Sequence, residues 1–170
     1  MDSIGSPLAL LATLVVAWWL HLRSALPRLP ERIATHFGGG GRPNGWMTRA
    51  GLEAFDFRFL GFVLAVVIGS ALLIRVLPVS LINLPNRDHW FAPERRRQSH
   101  ARLLGHMLWF ACLMVAFIIG VNHLVFRANL QPAGASLPGV GLVALLVSFL
   151  AVLVVWTVRL YRLFPKPGQP

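Results

Sequence analysis

The chain has few charged residues, very few acidic ones and a single cysteine. Charged residues make up 13% of its 170 positions, against about 25% in ordinary soluble domains. Six acidic residues stand against sixteen basic ones, which leaves a formal net charge of +10. The lone cysteine, Cys112, excludes an intrachain disulfide. It lies inside an apolar stretch, where we expect it to act as a small hydrophobic residue.

The sequence also lacks the common catalytic motifs. It contains no His-Glu-x-x-His, no Gly-x-Ser-x-Gly and no phosphate-binding P-loop. We therefore expect a protein that is not an enzyme and that carries no cofactor.

Long apolar stretches are what the chain has instead. A helix needs about 20 apolar residues to cross a bilayer core about 30 Å thick. Helices are the expected spanning form because lipid offers no partner to backbone amides. The sequence predicts an all-α integral membrane protein, a single domain over residues 1–170 built as a bundle of four transmembrane helices. The predicted spans are residues 4–22, 59–77, 103–126 and 137–158.

No aspartate, glutamate or lysine lies inside the four predicted spans. Proton relays and paths for charged substrates normally use such residues, so none is expected here. Arg75 is expected to extend its guanidinium to the interface while the second span continues toward Pro78.

The arginines flank the apolar stretches, so the positive charge predicts contact with anionic lipid headgroups and no binding of nucleic acid. The side of the membrane that holds both termini and the second connection carries slightly more arginine and lysine than the other. By the positive-inside rule, both termini are predicted in the cytoplasm and the first connection outside.

The first connection, residues 24–57, carries the most distinctive local pattern. Pro27 and Pro30 favour an extended start, and Pro43-Asn44-Gly45 has the chemistry of a turn. We expect this connection to be ordered despite four consecutive glycines at 38–41.

This pattern resembles the signature of DUF1648, a domain of bacterial membrane proteins. That signature has a Leu-Pro pair, a His-Phe pair, a Gly-x-Pro-Asp-Gly-Trp turn and a small-basic pair. The resemblance extends over about residues 8–75, and it departs from the usual pattern at Ala34, where proline is usual, and at Asn44, where aspartate is common. The matching features are Leu29-Pro30, His36-Phe37, residues 41–46 and Thr48-Arg49.

The resemblance implies a bacterial inner-membrane location. It also implies a relationship to the SdpI family, whose best-understood member gives immunity to a secreted killing factor and relays its presence to a cytoplasmic repressor. The second connection departs from that family, in which an Asn-Arg pair leads shortly to Gly-x-Arg. Here Asn86-Arg87 leads to Asp88-His89-Trp90.

The outer connection is the first candidate binding site, and its residues are His36, Phe37, Asn44 and Trp46. One interpretation is that they bind a ligand such as a secreted peptide. Another is that His36 hydrogen-bonds the turn and only folds the connection. A third is that His21, His36 and His123 converge on a transition metal, although we expect no metal site.

The second connection is the other candidate. Residues 88–102 are predicted to form an interfacial helix that runs into the third span, with Pro93 in its first turn. Its surface would bind lipid phosphates or a cytoplasmic regulator. The residues concerned are Arg87, Trp90, Glu94, Arg95, Arg96 and Arg97.

These observations favour a bacterial inner-membrane accessory protein, a sensor or an immunity protein that responds to an extracytoplasmic peptide or envelope cue. Its expected partners are membrane lipid, a secreted peptide and a cytoplasmic regulator. The alternatives are a small transporter subunit or permease, which would need to oligomerise to form a path, and a membrane scaffold without a ligand.

Overall fold

The computed structural model describes residues 4–131 and 134–167 and confirms the all-α membrane fold. Within these residues, four helices are long and apolar enough to cross a membrane. Neighbouring helices along the chain run in opposite directions. His21, near the end of α1, contacts Phe126 near the end of α4. Trp90, just before α4, contacts Phe164 just after α5. The four helices are α1 (Gly5–Ala25), α2 (Arg49–Leu73), α4 (Pro93–Asn129) and α5 (Gly139–Leu163).

The first connection is an antiparallel β-hairpin, which confirms that it is ordered. A single 3-10 turn, Leu26–Arg28, follows α1 and leads into β1 (Arg32–Phe37). The chain then turns through the glycines and returns as β2 (Pro43–Thr48). Ile33 in β1 is fully buried, so one side of the hairpin rests on the helices.

Helix α2 begins at Arg49, well before the expected start near residue 59. Thr48 is its N-cap, and the Thr48 Oγ1 accepts a hydrogen bond of 3.0 Å from the Gly51 amide. The connection is therefore shorter than predicted, because strand β2 passes directly into the helix.

The prediction that α2 continues past Arg75 was wrong. The helix ends at Leu73, and Arg75 lies in the turn beyond it. The backbone carbonyls of Arg75 and Leu77 accept hydrogen bonds of 3.3 Å and 3.4 Å from Arg96 Nη2. These carbonyls are satisfied from another helix, so the chain can leave the helical path here.

The second connection contains a 3-10 turn at Val79–Leu81 and the short helix α3 (Arg87–Trp90). The predicted helix over residues 88–102 is thus interrupted, and α4 begins at Pro93 in its first turn as expected. From there α4 is one continuous helix of 37 residues, about 55 Å long at about 1.5 Å per residue.

Helix α4 is the centre of the bundle, and α1, α2 and α5 all pack against it. Small side chains on α4 let the backbones of neighbouring helices approach closely. Such packing is expected in a membrane, because apolar lipid provides no hydrophobic driving force for helix association. Ala111 and Cys112 are buried, and Cys112 Sγ donates to the Pro7 carbonyl at 3.4 Å. Helix α5 has no buried residue. It approaches α4 at Gly120, where a Cβ would lie 2.7 Å from the Leu145 Cδ1.

Candidate functional site

The hairpin presents its candidate side chains to the outside of the molecule. His36, Asn44 and Trp46 are exposed, and Phe37 is half-buried. His36 Nδ1 and Asn44 Oδ1 form a hydrogen bond across the two strands. The Arg32 guanidinium lies 4.8 Å from the centre of the Trp46 ring, which stays 45% exposed. The exposed surface of the hairpin is therefore a pre-ordered set of a cation, an aromatic ring and a polar pair.

Two glycines of the hairpin lie where a larger residue would clash with a neighbouring residue. A Cβ on Gly45 would lie 2.9 Å from the His36 Cβ, so only glycine fits opposite that residue. Gly41 has a φ of +75° and adjoins the Leu137 carbonyl. The Leu137 amide donates to the Gly41 carbonyl at 3.0 Å. This bond ties the glycine turn to the chain that leads into α5.

The hairpin is also fixed to the end of α4. The Ala34 amide donates to Asn129 Oδ1 at 2.8 Å, and Asn129 Nδ2 donates to the Ala34 carbonyl at 2.8 Å. A single side-chain amide thus occupies both backbone groups of Ala34, as a neighbouring strand would. A separate hydrogen bond of 2.7 Å runs from Arg49 Nε, at the start of α2, to the carbonyl of Leu29, which precedes β1.

The hairpin and the helices around it correspond to a known domain. The sequence model of the domain of unknown function DUF1648 matches residues 8–61. The chain carries a DUF1648 domain. The match covers most of α1, the hairpin and the first half of α2, and it stops short of the expected residue 75. No curated protein and no solved structure matches the chain.

Within the DUF1648 domain, Ala34 departs from the usual proline, and its contact gives that departure a physical meaning. Proline has no amide hydrogen, so it could not donate the bond that Asn129 Oδ1 accepts here. Alanine allows the bidentate contact, and Asn129 lies outside the matched residues. The matched region is therefore joined to α4 by a contact whose partner lies beyond residue 61.

The DUF1648 domain also buries a carboxylate, which corrects the expectation of acid-free spans. Because α2 starts at Arg49, Asp56 lies inside the helix, and only 4% of its surface is exposed. Asn122 Nδ2 in α4 donates to Asp56 Oδ2 at 2.7 Å. Among the residues that the structure describes, no basic side chain forms an ion pair with Asp56. A carboxylate buried in a candidate membrane-spanning helix is a candidate for function.

Two of the three candidate metal-binding histidines meet, and the third does not. The rings of His21 and His123 lie 5.6 Å apart, and His21 also contacts Phe126 at 5.3 Å. His36 is instead paired with Asn44. Over residues 4–131 and 134–167, no group of three or more histidine, cysteine, aspartate or glutamate side chains is placed to hold a metal ion. The structure therefore does not bring the three imidazoles of that alternative together.

The charged residues of the second connection have two roles, and Arg95 takes part in both. Arg87, Arg95 and Arg96 donate to backbone carbonyls, the shortest bond being 2.6 Å from Arg87 Nη1 to Ser80. These contacts fold the connection. Glu94, Arg95 and Arg97 are exposed around the first turn of α4, where they are accessible to lipid phosphates or to another protein.

Trp90 faces the protein and holds the end of α5. Trp90 Nε1 donates to the Pro165 carbonyl at 3.0 Å, and the ring lies 5.9 Å from that of Phe164. Ser99 Oγ adds a bond of 2.6 Å to the Trp90 carbonyl. The sequence did not single out Phe164, an aromatic residue six positions after the end of the last predicted span.

Proposed function

We propose that this protein is an accessory protein of the bacterial inner membrane that senses, or gives immunity to, a secreted peptide or an envelope cue. The hairpin lies outside the cell, and both termini lie in the cytoplasm. The distribution of arginine and lysine supports this orientation. The exposed hairpin surface supports the role in binding.

The observation that carries the proposal is the contact between Asn129 and Ala34. It joins the hairpin to one end of α4, and the other end of the same unbroken helix presents Arg95 and Arg97. A ligand that favours one position of the hairpin would therefore bias the position of α4. The ligand must bind the two arrangements with different affinity, because equal affinity shifts no equilibrium.

The chemistry of the hairpin fits a peptide ligand. Tryptophan and arginine are the residues most enriched among those that dominate binding energy at protein interfaces. Trp46 and Arg32 line one shallow depression with Glu31, Met47 and Thr48. An aromatic ring, a cation and a carboxylate within one depression could recognise apolar and charged groups on the same peptide.

The test compares two tryptophans that have the same exposure. Cells that lack the native gene would express wild type, Trp46→Ala or Trp19→Ala, and would be challenged with the peptide fraction of culture supernatants from neighbouring strains. Trp19 is also 45% exposed, but it lies on α1. We expect Trp46→Ala to lose the response and Trp19→Ala to keep it. Wild-type behaviour of Trp46→Ala against every cue that the parent answers would refute the proposal.

A second candidate function, a small transporter subunit, is favoured by Asp56. A buried carboxylate within a membrane helix is typical of ion and proton pathways. Flux measured across liposomes that contain the purified protein tests this function. Transport requires a flux that Asp56→Asn abolishes, and flux equal to that of empty liposomes would exclude it.

A further inference from the structure

Two neighbouring cavities form a continuous groove along the interface of α4 and α5. One has a volume of about 310 Å³ and the other about 160 Å³, and both are lined by Leu113 and Val152. The groove extends along α5 from Leu145 to Arg162, which is about 26 Å at about 1.5 Å per residue. We call it the α4–α5 groove.

The chemistry of the groove changes along its length. The part farther from the C-terminus is lined mostly by apolar side chains, which include Leu145, Phe149 and Val152. The part nearer the C-terminus is aromatic: the rings of His106 and Trp156 stack at 4.3 Å, and Trp156 Nε1 donates to the His106 carbonyl at 3.0 Å. This order of apolar and then aromatic side chains matches the change from the hydrocarbon core to the interface of a bilayer.

The groove ends at two arginines. Arg159 and Arg162 line its last part and are exposed. The ion pairs formed within the described residues involve neither of them, and no acidic side chain lines either cavity. Within the described residues, the end of the groove therefore carries two cations that form no ion pair.

We propose that the α4–α5 groove binds an anionic phospholipid, with one acyl chain along the apolar part and the phosphate at Arg159 and Arg162. The dimensions agree, since one leaflet has about 15 Å of hydrocarbon and about 5–7 Å of headgroup region. The charges agree as well, because basic pockets between membrane helices are suited to anionic headgroups. The role is independent of the sensing function proposed above and of the orientation in the membrane.

A second copy of the chain fits the groove less well than a lipid does. Two copies packed in parallel through this surface by a twofold axis would bring their own Arg159 and Arg162 together, since such an interface uses the same patch on both partners. Like charges at short distance repel. An anionic headgroup would neutralise the positive charge of Arg159 and Arg162, whereas a second copy would add two more arginines beside them.

The experiment measures lipid retention by native mass spectrometry of the purified full chain. Phosphatidylglycerol and phosphatidylcholine with identical acyl chains are titrated separately into the detergent-solubilised protein. We expect wild type to bind phosphatidylglycerol about tenfold more tightly, and Arg159→Gln/Arg162→Gln to lose about that factor. The matched control is Arg42→Gln/Arg127→Gln, which removes the same charge from exposed positions outside the groove and should change the affinity less than twofold.

A second variant tests the apolar part without changing charge. Val152→Trp fills the point where the two cavities meet, on a helix with no buried residue, and should lower the affinity for both lipids. Unchanged thermal unfolding midpoints show that the variants fold. Equal retention of the two lipids by wild type, equal loss in the two arginine variants, unchanged binding by Val152→Trp or a lipid-free dimer would each overturn the proposal.

Discussion

At the scale of single residues, Asn129 determines how the outer part of the molecule is held. Its side chain satisfies the amide and the carbonyl of Ala34, two backbone groups in a buried residue of β1. Its Nδ2 also donates to the Val125 carbonyl at 2.9 Å within α4. One side chain therefore positions the hairpin on the helix, and its removal leaves buried backbone groups without a partner.

Asn129→Ala is expected to loosen the hairpin. Burying an unpaired polar group costs about 1–3 kcal/mol, so the free energy of local opening should fall by about that amount. Hydrogen exchange of residues 32–37 in lipid nanodiscs should then accelerate about 5–150-fold. The control is Gln131→Ala, which removes an exposed side-chain amide that donates to the Ser136 carbonyl at 3.4 Å. Equal exchange rates in Asn129→Ala and wild type would contradict this account of the hairpin.

The residues of the hairpin were partly predictable from the sequence, because turn chemistry is local. The contact of His36 with this segment was foreseen, since His36 lies against Asn44. The predicted turn at Pro43-Asn44-Gly45 was wrong, because these residues begin β2 and the chain turns at Gly39–Gly41 instead. Asn129 was not predictable, because it contacts a residue 95 positions earlier in the chain. No local pattern records a contact of that range.

At the scale of elements, the apolar pattern predicted all four helices but not their ends. Hydropathy begins to rise near Phe59, whereas the helix begins at Arg49 with Thr48 as its cap. Threonine before a helical run is a recognised start signal. The charged residues between Thr48 and Phe59 lower the local hydropathy, so the predicted span began about ten residues too late. The missed turns of α2 contain Asp56, which is why the buried carboxylate was missed as well.

Asp56 and Asn122 form a polar link between α2 and α4 in an otherwise apolar interface. Asn122→Ala is expected to destabilise the bundle by about 1–3 kcal/mol, because Asp56 then lacks its donor. The double variant Asp56→Leu/Asn122→Leu should return to within about 1 kcal/mol of wild type, since apolar replacement of both partners leaves nothing unsatisfied. Unfolding in detergent measures both values.

The control for this pair is Glu53→Ala. Glu53 lies in the same helix, but 37% of its side chain is exposed, and its ion pair with Arg23 is 3.4 Å long. Its loss should cost less than about 1 kcal/mol, as for exposed ion pairs in general. If the double leucine variant were as unstable as Asn122→Ala alone, the loss would come from packing and not from the unpaired carboxylate.

At the scale of the whole molecule, α4 connects the end that carries the hairpin with the end that carries the second connection. It is about 55 Å long, and the hydrocarbon core is about 30 Å thick, so α4 must extend beyond the core. Its first turns, with Arg95 and Arg97, lie at the end of α4 opposite the hairpin. The distribution of arginine and lysine along the sequence predicted which connections share a side of the membrane. It could not show that one continuous helix connects the hairpin with Arg95 and Arg97.

The most direct test of the account is the side of the membrane on which the hairpin lies. Gly39→Cys places a thiol in the hairpin turn, where a Cβ meets nothing within 4 Å. Glu94→Cys places one at the exposed start of α4, and the native Cys112 is buried and serves as background. With a membrane-impermeant maleimide, intact cells should label Gly39→Cys, and Glu94→Cys should react only after permeabilisation. Labelling of Glu94→Cys in intact cells, with Gly39→Cys protected, would contradict the proposed receptor role of the hairpin.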